Sequence, residues 1–349
     1  MNAPGTRRQA RTRSFPPKNA LENPMTLTCT LVRGARRGIA YTILAGALLA
    51  SGSAAALDNV KMMIPANPGG GWDQTGRALA AAMQSAKVVQ SVQFDNKGGA
   101  AGTIGLAQFV NSAKGDPNAL LMGGMVMVGG IELQKSPVNL TMVTPIARLT
   151  SEYLVVVVPA ASPYKTMADL VAAFKADPGK VSWHGGSAGG SDHILAGLIA
   201  RAAGVDPAKV NYVAAKGGGD QVANIVGGHV TVGVAGLGEF AEHIKGGRMR
   251  ALAVSAPGKE EGIPSLREQG IDVVLGNWRG VFAAPGITAA QRDALIAAVR
   301  AATESASWKE SLAKYGWDPV FLAGDAYKAF VEEDTKRIAG ILASLGLKK

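Results

Sequence analysis

The stretch Ile64-Pro-Ala-Asn-Pro-Gly-Gly-Gly-Trp-Asp-Gln-Thr-Gly76 closes a short apolar run and opens an alanine-rich segment. Three consecutive glycines let the backbone approach a ligand closely, and the free N–H groups of a following helix point at whatever sits there. The stretch therefore reads as a strand-to-helix corner able to hold an anion. It reads equally as a tight βα turn with no ligand at all.

Working outward, the same unit of strand, glycine loop and helix recurs. Residues 60–64 supply the first strand and 72–85 its helix. An alternating strand over 88–94 leads through Asn96-Lys-Gly-Gly-Ala-Ala-Gly102 into a helix that runs through Ala113, and a strand is expected over 119–124. Met125–Val128 and the pair Gly129-Gly130 follow, then a strand candidate over 142–149. Residues 153–159 carry four consecutive valines, the pattern of a strand buried on both faces, and are expected to cross between lobes. Thr166 and Asp169 have capping-box spacing for the next helix. The opening device then returns twice, as Gly185-Gly-Ser-Ala-Gly-Gly-Ser-Asp192 after a strand at 181–184, and as Lys216-Gly-Gly-Gly219 after a strand at 210–214. Helices are expected over 193–203, 220–226 and 239–245, and strands over 230–235 and 249–254. Residues 272–284 hold Asn277-Trp-Arg-Gly280 and form the second expected crossover. Thr288 and Gln291 make a further capping box, and the chain ends in helices, the last over 325–345.

The fold class implied is α/β, with two lobes: 58–152 plus 278–349, and 153–277. Each lobe contributes two glycine-led helix starts, which can face each other across a cleft beyond the carboxyl ends of the strands.

The 349 residues carry a formal charge of +10, which invites a nucleic-acid reading. Its location argues otherwise. Residues 1–56 hold eight basic side chains and one acid, Glu22, so most of the excess precedes the folded body. That segment has the layout of a secretory signal: Arg33, Arg36 and Arg37, an apolar run over 39–50, and small residues up to Ala56, after which cleavage is expected. The run is short for a bilayer span, which needs about 20 apolar residues. Met25 is an alternative start. The single cysteine, Cys29, lies within the leader, so the mature chain has no thiol for disulfides, Cys-ligated metal or nucleophilic chemistry. Neither a cofactor nor a nucleic-acid partner is expected.

Gly-x-x-x-x-Gly-Lys-Ser/Thr is absent, which excludes a P-loop, and the four histidines are dispersed without metal-ligand spacing. One enzymatic alternative stays open. Gly185-Gly-Ser-Ala-Gly189 matches the nucleophile elbow and makes Ser187 a candidate serine nucleophile. Among cations, Lys216 and Arg279 sit beside glycines at expected strand ends, and a guanidinium can hold a carboxylate bidentately. Arg279 can instead pair with an acid at the lobe interface. Trp72 and Trp278 are candidate pocket walls, and Asp73, in the first turn of its helix, is expected to cap and hold its loop.

Pro-Gly-Gly-Gly-Trp-Asp (68–73), Gly-Ser-Ala-Gly-Gly-Ser-Asp-His (186–193), Lys-Gly-Gly-Gly (216–219), Arg-Ala-Leu-Ala-Val (250–254) and Trp-Arg-Gly-Val-Phe-Ala-Ala-Pro-Gly (278–286) occur in this order. Together with Ile104-Gly105 they make the chain resemble, over about 57–349, the substrate-binding receptors of tripartite tricarboxylate transporters, the Bug family. The resemblance implies a type II periplasmic-binding-protein, or venus-flytrap, fold: two α/β lobes joined by two crossing strands. It implies a periplasmic, non-enzymatic, monomeric protein that closes on a small carboxylate and presents it to membrane permease subunits. It places the ligand at Pro68, Gly69, Gly70, Gly71, Trp72 and Asp73 on one side and at Ser187, Ala188, Gly189, Gly190 and Ser191 on the other, with Lys216 and Arg279 as cations. Trp72 and Asn277-Trp278-Arg279 look more like the citrate-type branch, which points to a tricarboxylate such as citrate. A sensory role feeding a two-component kinase would use the same pocket.

Overall fold

The longest strand, β4 (Thr144–Pro159), ties the molecule together. In the computed structural model, which describes residues 57–347, this 16-residue strand spans roughly 50 Å at the usual rise per residue. The expected leader, with Met25 and Cys29, lies outside the described residues. The amino-terminal part of β4, up to Tyr153, pairs antiparallel with β9 (Gly276–Ala283) and β10 (Asp318–Ala323). From Leu154 onward it pairs antiparallel with β7 (Val232–Gly236) and β8 (Met249–Val254) instead. Two sheets thus share one strand.

The first sheet runs β2 (Val89–Asn96), β1 (Leu57–Ile64), β3 (Ala119–Gly124), β9, β4; the second continues β4, β7, β5 (Ser182–Gly185), β6 (Asn211–Ala214). Within each sheet the strands that lead into glycine loops are parallel: β1 with β2 and β3, and β5 with β6 and β7. Helices cover the sheets. In chain order they are α1 (Gly71–Ser85), α2 (Thr103–Ser112), α3 (Met125–Gln134), α4 (Met167–Ala176), α5 (Ser191–Ala202), α6 (Gly218–Val226), α7 (Leu237–Lys245), α8 (Ala289–Glu304), α9 (Ala306–Tyr315) and α10 (Gly324–Ser344). This is a two-lobed α/β fold in which β4 runs through both sheets, while β9 pairs only within the first.

The valine run behaves as parallel-type patterning requires, although its partners are antiparallel. Leu154, Val156 and Val158 enter the main core, while Val155 and Val157 join a second cluster with Ile225, Leu237, Phe240 and Met249. Burying a valine or leucine fully is worth about 1.5–3 kcal/mol, so this one strand anchors both helix layers of the second lobe. Local signals account for helix starts on the outside. Thr166 and Asp169 close a reciprocal capping box at α4, and Thr288 and Gln291 close another at α8.

Two expectations are corrected, and one segment left unassigned takes a definite form. The segments 142–149 and 153–159 are one strand, continuous through the polar Thr150-Ser-Glu152. Residues 125–134 form a helix, although Gly129-Gly130 lies in its middle. The carboxyl-terminal part contains a strand, β10, between its helices.

Candidate ligand-binding site

Strands β1, β2, β5, β6 and β7 all end at the same place, a cavity of about 640 Å³ between the two sheets. Residues just beyond each strand line it: Asn67 after β1, Gly98 after β2, Ser187 after β5, Lys216 after β6, and Gly236 closing β7. Four helices begin here with glycine at the N-cap: α1 at Gly70, α5 at Gly190, α6 at Gly217 and α7 at Gly236. None of these caps is satisfied by a side chain. First-turn N–H groups have no intrahelical partner, so four positive helix ends with open donors converge on one space.

The glycine loops are held rigid by a recurring device. An aspartate in the first turn reaches back to a backbone N–H upstream: Asp73 to Gly69 at 2.9 Å, Asp192 to Gly186 at 2.6 Å, and Asp220 to Lys216 at 3.0 Å. Against the cost of burial, hydrogen bonds from Arg77, Gly69 and Asn96 hold the Asp73 carboxyl below its usual range. In the second lobe, His193 adds a second tie. Its Nδ1 accepts from the Gly189 N–H at 3.1 Å, its ring stacks on Tyr212, and burial lowers its pKa to about 4. The Tyr212 hydroxyl in turn donates to the Gly186 carbonyl at 3.0 Å.

Of the residues singled out from sequence, Gly70, Gly71, Trp72, Ser187, Ala188, Ser191, Lys216 and Arg279 line the cavity. Pro68, Gly69, Asp73, Gly189 and Gly190 stand behind it and shape the loops. Trp72 is buried against Gly102, whose left-handed backbone (φ 88°) lets the chain pass the indole closely. Lys216 is exposed at the rim, where its carbonyl accepts from the Asn67 side chain of the opposite lobe at 2.7 Å.

Arg279 is only 2 % exposed. Its guanidinium donates to Glu152 and, at 3.1 Å, to Thr75 Oγ1, stands 3.7 Å from Glu239, and lies over the Trp317 ring. A Cβ on Gly71 would overlap it, so the third glycine of the opening stretch makes room for the arginine. The alternative foreseen for Arg279, an acid partner between the lobes, is what the structure contains. Glu239 and Asn277 also line the cavity, with Glu152 bonded to Asn277 and Arg279 behind them, and none was singled out from sequence. Asn277 had a readable signal: strand side chains alternate, so if Arg279 faces the cavity, Asn277 does and Trp278 cannot. Trp278 accordingly faces the core, where its Nε1 donates to Asp334 at 2.7 Å and its ring packs edge-on against Tyr327 and Phe330. The expectation that Trp278 walls the pocket is thereby corrected.

Burial, reinforced by Glu152 and opposed by Arg279, raises the Glu239 carboxyl to about 8. Burial also raises Asp192 to about 6. Ser187 has no hydrogen bond to a histidine among the described residues, and the nearby His193 is committed to Gly189 and Tyr212.

The chain matches the family model described as "Tripartite tricarboxylate transporter family receptor" over residues 76–347. It is 28% identical over 296 residues to protein BugT of Bordetella pertussis, covering 83% of this chain and 90% of that one. Among solved structures it is similar to the periplasmic binding protein BugD (TM-score 0.76, 22% identity, 84% of this chain and 99% of that one). It is also similar to MatC from Rhodopseudomonas palustris with bound malate (TM-score 0.71, 21% identity, 82% and 99%). The matching family model is that of a receptor, in line with the expectation of a receptor rather than a serine hydrolase. The chain belongs to the tripartite tricarboxylate transporter receptor family.

Proposed function

We propose that the protein is a periplasmic, monomeric solute receptor that closes its two lobes on a small carboxylate and hands it to the permease subunits of a tripartite tricarboxylate transporter. The observation that carries this reading is the convergence of four glycine-capped helix N-termini on one cavity. Each such end favours an anion by about 0.3–1 kcal/mol, and more where water is excluded. The malate bound to MatC is a small carboxylate of the size this cavity holds. We take the lobes to divide between 152 and 153 and between 277 and 278, supported by the change of β4 partners at Leu154.

A tricarboxylate such as citrate is the specific ligand suggested by Arg279 and Trp72. Its support is reduced by the engagement of Arg279 with Glu152, which leaves no free guanidinium for a third carboxylate. Charge balance favours a ligand with one or two carboxylates, and citrate becomes the competitor in the test. Residues 57–349 are screened by thermal shift and calorimetry against mono-, di- and tricarboxylates, aromatic acids included. A ligand at about 100 times its Kd should stabilise the fold by about 2.7 kcal/mol. Failure of every carboxylate to raise the melting temperature would overturn the proposal.

A further inference from the structure

Around Arg279 the cavity lining gathers carboxylates and an amide, whereas the glycine loops offer backbone donors. Three carboxylates, Glu152, Asp192 and Glu239, share the field of one guanidinium, Arg279. Glu152 uses that guanidinium and the Asn277 amide N–H, which donates to it at 3.1 Å. Asp192 accepts from Gly186 and from the Ser191 hydroxyl. Glu239, on the first turn of α7, has only the N–H of its own N-cap Gly236 and the arginine at 3.7 Å. The Asn277 amide is oriented by its bond to Glu152, and that orientation leaves Oδ1 pointing away from the carboxylate. Asn277 is 5 % exposed, and its Oδ1 finds no donor among the described residues. A buried acceptor without a donor costs about 1–3 kcal/mol, and a ligand that brings a donor recovers it.

Glu239 and Asn277 both line the cavity, and both connect through the same hub of Glu152 and Arg279. A second carboxylate placed there would meet the charge of Glu152 and Asp192, with the Glu239 O–H and the α7 N-terminus as its donors. An ammonium would meet Glu239 and Asn277 Oδ1, and would bring the charge that three acids beside one guanidinium lack. Resting on the reading that a carboxylate occupies the cleft, we propose that the ligand also carries an ammonium group, seated at Glu239 and Asn277, with its carboxylate at the helix N-termini near Gly71, Ser191 and Lys216. The class is therefore an amino acid rather than a plain di- or tricarboxylate.

The protonation of Glu239 supplies an independent sign. Burial keeps its proton up to about pH 8, and of the groups facing it Glu152 from β4 and Asp192 from α5 reinforce this while Arg279 from β9 opposes it. An ammonium takes the place of that proton, so binding releases it and strengthens as pH rises from about 6 toward about 8. A carboxylate held by a protonated Glu239 would show the opposite slope.

The test measures Kd by calorimetry for three matched sets: propanoate, lactate and alanine; succinate, malate and aspartate; glutarate, 2-hydroxyglutarate and glutamate. In at least one set the amino member is expected to bind about tenfold or more tighter than both others, as an ion-paired hydrogen bond would supply. Its affinity rises with pH, and Glu239→Gln abolishes the preference for the amino member and the pH slope. The wild-type series and slope decide the matter even if the variant folds poorly. Equal or tighter binding of the unsubstituted acids, or amino-ligand affinity that falls as pH rises, overturns this inference and leaves the carboxylate receptor intact. No binding by any of these acids, or by the wider carboxylate panel, overturns both.

Discussion

Arg279 was expected to read the ligand's charge, yet its first task is to neutralise Glu152 inside the protein. Both side chains are 3 % exposed, and a buried pair that loses one member leaves an uncompensated charge costing about 3–5 kcal/mol. Arg279→Ala should therefore destabilise the ligand-free protein by that order in urea titration, and adding Glu152→Gln should recover a large part of it. A single variant as stable as wild type, or a double variant no better than the single, would remove the structural role. Glu239 behaves in the reverse sense. Its folded pKa of about 8 lies above the ordinary value of 4.5, so the folded state binds more protons between those values. Its contribution to stability is full below about pH 4.5 and is lost as pH rises to and through about 8. Glu239→Gln keeps the shape and removes the charge. Its melting temperature should match wild type near pH 5 and exceed it by several degrees at pH 8.5, since about 1 kcal/mol shifts a domain of this size by a few degrees. Equal curves at both pH values would contradict the raised pKa.

At the scale of elements, the loop between β5 and α5 depends on a neutral imidazole. His193 accepts from Gly189 through Nδ1 and, with its pKa near 4 against an ordinary 6.5, stays unprotonated down to mild acidity. Because the folded value is depressed, stability is present above about pH 6.5 and declines as pH falls through about 4. Amide exchange at Gly189 and Gly190 should accelerate over that window in wild type. In His193→Asn, which cannot charge, the rate should not change with pH beyond its intrinsic dependence; a parallel acceleration there would assign the effect elsewhere. The same element shows what sequence can and cannot carry. Glycine-led corners and capping boxes are local devices, so α1, α4, α5, α6 and α8 could be placed from short windows, as could strands β3 and β8. Helix α3 could not, because Met125-Val-Met-Val128 has no polar face to impose a helical period and Gly129-Gly130 imitates a break. Its packing between the two lobes, not its own propensity, makes it helical. Strand β4 looked like two because Thr150, Ser151 and Glu152 interrupt its apolar pattern. Glu152 is polar there for a reason visible only in three dimensions, since its partners Asn277 and Arg279 are more than a hundred residues away. The loop half of the site was legible for the same reason the corners were. The acidic group around Arg279 was not, because it assembles from β4, α5, α7 and β9.

The whole molecule has its lobes in contact around the cavity, and one of those contacts is backbone against backbone. Gly129 on α3 packs against the Gly189 carbonyl of the opposite lobe so tightly that a Cβ would overlap that oxygen, while Asn67 reaches the Lys216 carbonyl at 2.7 Å. Neither Gly129 nor Gly189 lines the cavity. Closure and ligand contact are thus separable at Gly129, and the two effects of substitution have opposite signs. Alanine in the interior of α3 favours the helix over glycine by about 0.8–1.0 kcal/mol, which should leave the ligand-free protein at least as stable as wild type. The added methyl nevertheless obstructs the Gly189 carbonyl, a backbone atom fixed by the His193 tie on its own N–H, so the lobes cannot reach the arrangement that surrounds the ligand. With a bound-state population reduced in this way, apparent affinity falls by the same factor. Gly129→Ala should therefore weaken the tightest carboxylate ligand by at least about tenfold in calorimetry, with an unchanged or raised melting temperature in its absence. In small-angle scattering the wild-type protein should contract on adding ligand and the variant should not. If the variant binds with wild-type affinity and contracts normally, the Gly129–Gly189 contact has no part in closure.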